Sequence, residues 1–187
     1  KLGVMNIKNV LVAKESEKSV RSNAFFYGIG NQQKIALFDN LLRDFTKDEV
    51  ETVVGHELGH YVNKDIIRGL ILEAILVFPI LFGVDYFVGI SAQFFDISDI
   101  SDLESLPLIG LIYGTLGFLS MPIANAHSRW REAEADEFAL KYVRKPVAQV
   151  STEKRLADLS LADLEPHPLI EFLAFFGFDL RSLLGER

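Results

Sequence analysis

Residues 56–60 read His-Glu-Leu-Gly-His, with two imidazoles four positions apart and a carboxylate between them. On an α-helix, positions i and i+4 share a face, so His56 and His60 can reach one ion while Glu57 projects beside it. That arrangement suits metal-assisted hydrolysis with Glu57 as the general base. The motif uses two of only four histidines in the chain. We therefore predict a zinc site here; two ordinary surface histidines are the alternative.

A catalytic zinc needs a third protein ligand and an open position for water. The segment 128–136 reads Ser-Arg-Trp-Arg-Glu-Ala-Glu-Ala-Asp and supplies candidate carboxylates. Glu132 and Asp136 share one helical face, so one can bind the ion while the other accepts the free N–H of a ligand histidine. Spacing alone does not separate Glu132 from Glu134, and a solvated helix face is the ordinary alternative for both.

The elements that would hold these residues are a helix and a small sheet. Thr46 and Glu49 fit a capping box, and apolar residues recur at helical spacing behind them, which predicts a helix over 47–63. Three apolar runs before it, at 7–13, 22–28 and 34–39, predict strands. A glycine-rich turn joins the last two, so we expect a small antiparallel sheet.

Two apolar segments separate the halves of the proposed site. Residues 106–124 carry no charge over 19 positions, close to the roughly 20 needed to cross a bilayer. Residues 69–95 are mostly apolar but contain Glu73 and Asp85, which would have to face protein or water. We predict a two-helix transmembrane hairpin; a pair of helices buried in a soluble core is the alternative. Further helices are expected over 128–143 and about 147–159.

Charge around the hairpin predicts its orientation. The connecting loop 96–104 carries four acids and no basic residue, whereas Lys64, Arg68, Arg129 and Arg131 flank the outer ends. The positive-inside rule places those ends, and the metal site, on the cytoplasmic side. An even number of crossings returns the chain to one side of the membrane, where the two halves of the site can meet.

Composition agrees with a membrane protein. Apolar residues make up 49% of the chain, and the net charge of −7 argues against a nucleic-acid partner. The chain has no cysteine, which excludes disulfides and thiolate ligands. The expected partners are instead the lipid bilayer and a peptide or protein substrate.

Four blocks resemble the integral-membrane zinc CAAX prenyl protease family, which also includes HtpX. They are Ser22-Asn23-Ala24-Phe25-Phe26-Tyr27-Gly28, His56-Glu57-Leu58-Gly59-His60, Asn125 followed by Ser128-Arg129, and Glu132-x-x-Ala135-Asp136. HtpX resembles the first block less closely.

The resemblance implies an α+β, mainly helical fold with a gluzincin-like core. It implies one zinc ion per chain, with Glu132 as third ligand and Asp136 as a supporting residue. Arg129 is expected to pair with Asp136 or with the end of the substrate; donation to the oxyanion is the alternative. It also implies that the strand carrying Asn23, Ala24 and Phe25 is a sheet edge to which a substrate, prenylated or membrane-inserted, adds as an extra strand. Further spans are implied upstream of Lys1.

The expected division is 1–66 for the sheet and zinc-binding helix, 67–126 for the hairpin, and 127–187 for the third-ligand helix and the C-terminal part. The family carries a Ser-His-Pro element near its C-terminus whose histidine is thought to steady the oxyanion. Here the nearest match is Pro166-His167-Pro168. Either His167 serves, or the element is missing and His167 is a loop residue.

The leading hypothesis is a CAAX prenyl protease-like zinc endopeptidase. One alternative is an HtpX-like protease that degrades damaged membrane proteins. A second is a catalytically weak, zinc-stabilised membrane scaffold, suggested by the unmatched C-terminal element. A third is a soluble fragment with chance motifs.

Overall fold

The computed structural model describes residues 9–14, 24–27, 34–94, 103–160 and 167–176, and they are mainly helical. A short 3₁₀ helix, Leu103–Ser105, precedes the longest helix. The strands and α-helices, in chain order, are β1 (Asn9–Ala13), β2 (Ala24–Tyr27), β3 (Lys34–Phe38), α1 (Asp39–Asp44), α2 (Lys47–Val62), α3 (Asp65–Phe94), α4 (Leu106–Val143), α5 (Pro146–Ser160) and α6 (Pro168–Phe175).

The chain divides into two compact units. The first comprises Lys1–Ile66 and Trp130–Pro166, and the second comprises Ile67–Arg129 and His167–Arg187. The first unit therefore holds the sheet, α2 and α5, and the second holds most of the apolar length of α3 and α4 together with α6. The three-part division expected from the sequence stays a prediction.

The sheet of the first unit has the strand order β1-β3-β2. β2 pairs with β3 in antiparallel register, Phe25 opposite Ala36, whereas β1 pairs with β3 in parallel. The expectation of a wholly antiparallel sheet is therefore wrong, and the sheet is mixed. The middle of β3 is buried, which fits a central strand with a partner on each side, and β1 takes the side that β2 leaves open.

Helix α2 begins as the sequence predicts. The Thr46 hydroxyl accepts the Glu49 N–H at 3.3 Å, and the Glu49 carboxylate accepts the Thr46 N–H at 2.8 Å, which confirms the capping box. Helix α1 was not anticipated from the sequence. Residues of β2, β3, α1, the α1–α2 link and α2 form the core of this unit: Ala24, Ile35, Leu37, Leu41, Phe45 and Val53.

Helix α5 packs on α2 through polar contacts. The buried hydroxyls of Thr52 and Thr152 lie 3.1 Å apart, and the Ser151 hydroxyl donates to Glu49 at 2.8 Å. Because α2 carries the histidines, these contacts hold a second helix beside them.

Helices α3 and α4 are long and apolar. Each is long and apolar enough to cross a membrane. In each helix, the most apolar stretch of 18 residues contains no buried residue. A Cβ placed on Gly83 of α3 would lie 2.8 Å from Leu116 Cδ1 of α4, so the two helices approach closely. The segments expected at 106–124 and 128–143 are one continuous helix of 38 residues, with Pro122 inside it.

Candidate metal centre

Three Lewis bases from two helices converge in the first unit. His56 and His60 lie on α2, and their Nε2 atoms are 3.0 Å apart. Glu132 reaches them from α4, with Oε2 3.4 Å from His56 Nε2 and 3.5 Å from His60 Nε2. Ligand atoms held about 2.0–2.1 Å from a tetrahedral ion lie about 3.3 Å from one another. The three atoms therefore have the spacing of a ligand set.

The other nitrogen of each imidazole is held by a carboxylate. His56 Nδ1 lies 2.8 Å from Asp136 Oδ1, and His60 Nδ1 lies 2.7 Å from Asp65 Oδ2. A carboxylate only accepts, so each Nδ1 carries the proton and each Nε2 presents a lone pair. Two lone pairs and a carboxylate oxygen this close together repel one another without a cation between them. This donor set fits a divalent metal ion.

Asp65 is a member of the site that sequence reasoning missed. Its side chain is buried, and it follows the second histidine by five residues. Lys64, at φ 57°, adopts the left-handed conformation that ends α2 and turns the chain into α3, so that Asp65 returns to His60. The signal in the sequence was an acid just beyond the predicted helix end.

Small residues bring the two ligand-bearing helices together. A Cβ on Gly59 of α2 would lie 2.9 Å from Ala135 Cα and 3.1 Å from Ala135 O, both backbone atoms of α4. Ala135 and Ala139, on the facing side of α4, are fully buried. The absence of side-chain bulk at these positions sets the helix separation that lets Glu132 reach the histidines.

Glu57 lies beside the ligands and is partly buried. Burial raises the pKa of its carboxyl above the usual range, and the Glu132 carboxylate raises it further, against the opposing effect of His56 and His60. A carboxyl whose proton affinity is increased in this way is suited to accept and then return a proton.

A cavity of about 370 Å³ opens against this centre. Besides residues already described, its walls include Gln149 and Glu153 of α5, neither of which was singled out in the sequence. Burial raises the pKa of the Glu153 carboxyl, and the nearby carboxylates of Asp136 and Glu132 raise it further, against His56. No sequence pattern marked these two residues, since only the packing of α5 on α2 places them there.

Two more residues were predicted from the sequence to belong to the site. Arg129 and His167 belong to the second unit. The Arg129 guanidinium carbon lies 4.7 Å from the centroid of the Phe175 ring, and His167 Nδ1 accepts the Leu169 N–H at 3.2 Å, which caps α6. The catalytic and supporting roles assigned to them stay predictions.

The predicted substrate strand is described in part. Ala24 is buried in β2, and Phe25 pairs with Ala36 of β3. β2 is an edge strand of the sheet, and it contacts α2, the helix that bears the histidines. Asn23 lies outside the described residues.

Known proteins resemble most of this chain. The model of peptidase family M48 matches residues 3–172. The chain is 31% identical over 160 residues to the uncharacterized metalloprotease YhfN of Bacillus subtilis, covering 83% of this chain and 38% of that protein. It is 33% identical over 137 residues to the probable CAAX prenyl protease 1 of Schizosaccharomyces pombe, covering 71% of this chain and 29% of that protein.

An HtpX homolog of Archaeoglobus fulgidus is 29% identical over 133 residues, covering 71% of this chain and 38% of that protein. The crystal structure of S. mikatae Ste24p superimposes with a TM-score of 0.68 at 20% identity, covering 92% of this chain and 46% of that one. That likeness shows a shared fold. The chain thus spans between 29% and 38% of the length of these curated relatives.

Proposed function

Because the chain belongs to peptidase family M48, we propose that it is the catalytic core of a membrane-embedded zinc metalloendopeptidase. The observation that carries the proposal is the convergence of His56, His60 and Glu132 from two helices, with Glu57 beside them. The core would be gluzincin-like, with a glutamate as the third ligand and one zinc ion per chain. Imidazole and carboxylate ligands with an open fourth position favour zinc over magnesium or calcium.

The chain's own residues would divide the work of hydrolysis. A divalent ion at such a site acidifies a water molecule and polarises the scissile carbonyl. Glu57 would accept the proton of the attacking water and pass it to the leaving amine, for which its raised proton affinity is suited. Asp136 and Asp65 would hold the two imidazoles in the tautomer that leaves both Nε2 atoms unprotonated.

The substrate would approach along β2. An extended peptide can add to a sheet edge through main-chain hydrogen bonds. β2 is such an edge and adjoins α2, which supports the assignment of the Asn23–Phe25 segment to substrate binding.

The apolar helices support a multi-pass membrane protein. Large apolar side chains of α3 and α4, including Phe78, Phe82 and Leu111, are more than two-thirds exposed. So much exposed apolar surface is unfavourable in water and favourable in lipid. We place the catalytic side in the cytoplasm on the charge distribution around the hairpin.

The first test removes the base and the metal in turn. Glu57→Gln is nearly isosteric and cannot take a proton, so we expect full-length protein to lose about 10²–10⁴-fold in peptidase rate with unchanged zinc content by elemental analysis. A chelator should abolish wild-type cleavage, and added zinc should restore it. Turnover retained in Glu57→Gln, or in chelated protein, would refute the proposal, whereas a wild type that binds zinc but shows no zinc-dependent cleavage would favour the zinc-stabilised scaffold.

The second test concerns the substrate. CAAX prenyl protease-like activity predicts cleavage of a farnesylated CAAX peptide, consistent with the 33% identity to the S. pombe relative. The alternative, HtpX-like quality control, predicts cleavage of a misfolded membrane protein while the farnesylated peptide survives. The 29% identity to an HtpX homolog is close to the 33% identity to the S. pombe relative, and it supports this second candidate function.

A further inference from the structure

Helix α6 is attached to α4 through one stripe of α4 side chains. Phe118, Asn125 and Arg129 follow one another at intervals of seven and four residues, so they share a face of the helix. The Asn125 amide donates to the Phe175 carbonyl oxygen at 2.8 Å and reaches the Ala174 carbonyl oxygen at 3.4 Å. The C-terminal end of α6 is therefore bound to the side of α4.

Ring contacts extend this attachment along α4. The rings of Phe118 and Phe176 are stacked, with centroids 5.6 Å apart, and the Arg129 guanidinium carbon lies 4.7 Å from the centroid of the Phe175 ring. Phe118 precedes Arg129 by 11 residues, which is about 16 Å along a helix axis. The contacts thus fix the level of the α6 end relative to the length of α4.

That level lies at one end of the apolar length of α4. Residues 106–126 include no Asp, Glu, Lys or Arg, and their 21 positions extend over about 32 Å, close to the roughly 30 Å of a bilayer's hydrocarbon core. Asn125 is inside this stretch, and Arg129 is just beyond it. If α4 spans the membrane as proposed, the C-terminal end of α6 lies where the acyl chains meet the head groups.

The hydrogen bonds of Asn125 suit a helix end that water does not reach. The last carbonyl groups of an α-helix have no partner within the helix. In water they can bind solvent, but in an apolar phase they need a donor from the protein. Asn125 supplies such a donor from the apolar stretch itself. The positive guanidinium of Arg129 also lies near the negative end of the α6 dipole.

Two further side chains of α6 are large, apolar and exposed. Leu169 and Phe172 are three residues apart, so they share a helical face, and they are 57% and 59% exposed. Transfer of a leucine or phenylalanine side chain from water to an apolar phase favours the apolar phase by about tenfold or more. At the level where lipid begins, these two side chains would enter it.

We propose that α6 is a membrane-interface helix whose exposed side chains, Leu169 and Phe172, lie among the lipid acyl chains at the cytoplasmic edge of the bilayer. Phe118 and Asn125 set its depth by attaching its C-terminal end to α4. The inference rests on the proposed membrane location, because the level of α6 is defined by a membrane-spanning α4. Its partner is lipid rather than solvent or another protein segment, and the experiment separates these three.

The test uses full-length protein reconstituted in phosphatidylcholine vesicles. Each variant carries one cysteine labelled with an environment-sensitive fluorophore, and quenching is measured with lipids brominated in the acyl chain and, separately, with iodide in the water. Leu169→Cys and Phe172→Cys report on α6. Leu111→Cys, in the exposed apolar part of α4, reports on membrane insertion, and Leu159→Cys, exposed on α5, reports on contact with water.

We expect both α6 labels to behave like the label at Leu111→Cys. Their ratio of lipid quenching to iodide quenching should exceed that of Leu159→Cys by at least about fivefold.

The attachment to α4 is tested in the labelled Phe172→Cys protein. Asn125→Ala removes the donor to the α6 carbonyls and should lower the quenching ratio about threefold. Thr115→Ala is the control, because it removes a polar side chain of α4 whose hydroxyl donates within the same helix, to the Leu111 carbonyl. It should leave the ratio unchanged; an equal fall in the two variants would contradict the role of Asn125.

The failures are distinguishable. If Leu111→Cys is quenched by lipid while both α6 labels are quenched by iodide, α6 lies in water; the inference is refuted and the membrane location stands. If neither quencher reaches the α6 labels, protein covers them, and the lipid contact is refuted as well. If Leu111→Cys is itself quenched by iodide and not by lipid, the proposed membrane location fails and this inference fails with it.

Discussion

At the residue scale, the site depends on which acid of α4 faces the histidines. The sequence offers Glu132 and Glu134 two positions apart, and a helix turns them to different sides. Glu132 Oε2 lies within 3.5 Å of both Nε2 atoms, whereas Glu134 takes no part in the ligand cluster found among the described residues. Two residues correspond to about half a helical turn, so Glu132 and Glu134 point to nearly opposite sides of α4.

That choice can be measured directly. Glu132→Ala removes one of three ligands, so we expect zinc affinity to fall by at least the 10–100-fold reported for loss of a mere supporting contact. Glu134→Ala is the matched control on the same turn and should bind zinc as tightly as the wild type. Competition with a fluorescent chelator gives both constants. Equal loss in the two variants would contradict the ligand assignment.

At the scale of elements, the spacing between α2 and α4 is as important as the ligands. Gly59 faces backbone atoms of Ala135, which cannot rotate away as a side-chain tip could. We expect Gly59→Ala to force the helices apart, to cost about 1–3 kcal/mol of stability and to weaken metal binding. Thermal unfolding and zinc titration report the two effects.

Gly110→Ala is the control for that experiment. A Cβ at Gly110 meets nothing within 4 Å, so alanine there should be tolerated, with the higher helix propensity in its favour. If Gly59→Ala behaves like Gly110→Ala, close helix approach does not position Glu132.

The start of α2 predicts a response to acid. Glu49 is buried; burial would raise its pKa, but hydrogen bonds from Thr46 and Ser151 outweigh this and lower it below the usual value of 4.5. A carboxyl with a depressed folded-state pKa stabilises the fold above its unfolded pKa and loses that contribution as pH falls through the folded value. The difference in free energy of unfolding between wild type and Glu49→Gln should therefore be largest at pH 7. It should shrink below about pH 4.5.

Unfolding temperatures in detergent across that pH range provide the check. Glu137→Gln, at an exposed position on α4, corrects for general charge effects and should show no such narrowing. A gap between wild type and Glu49→Gln that stayed constant down to pH 3 would contradict the role assigned to the capping network.

At the scale of the whole molecule, the prediction concerns the orientation of the two apolar helices across the membrane. Both apolar helices are long enough to span, and the acidic 96–104 segment joins them. The excess of basic residues at the opposite ends predicts that the joining segment is outside and α5 is in the cytoplasm. The sidedness of single residues would decide this.

The chain has no cysteine, so single cysteines can be introduced without background from it. In intact cells, Asp99→Cys should react with a membrane-impermeant maleimide, and Lys154→Cys should react only after permeabilisation. The chain without an added cysteine is the control. Labelling of Lys154→Cys from outside, or of both positions from the same side, would overturn the predicted orientation.

The sequence by itself predicted the features that depend on neighbouring residues. The His56–His60 motif, the capping box at Thr46 and the apolar length of the two long helices depend on residues close together in the chain. Their periods and spacings follow from helix geometry and bilayer thickness, so neighbouring residues suffice to predict them.

Only the tertiary structure decided which distant residues meet. The parallel pairing of β1 with β3, the second imidazole partner Asp65, and the cavity formed with α5 all depend on packing between segments far apart or on a turn beyond the helix end. Such contacts are set by burial and by close approach at positions such as Gly59, for which no local pattern exists.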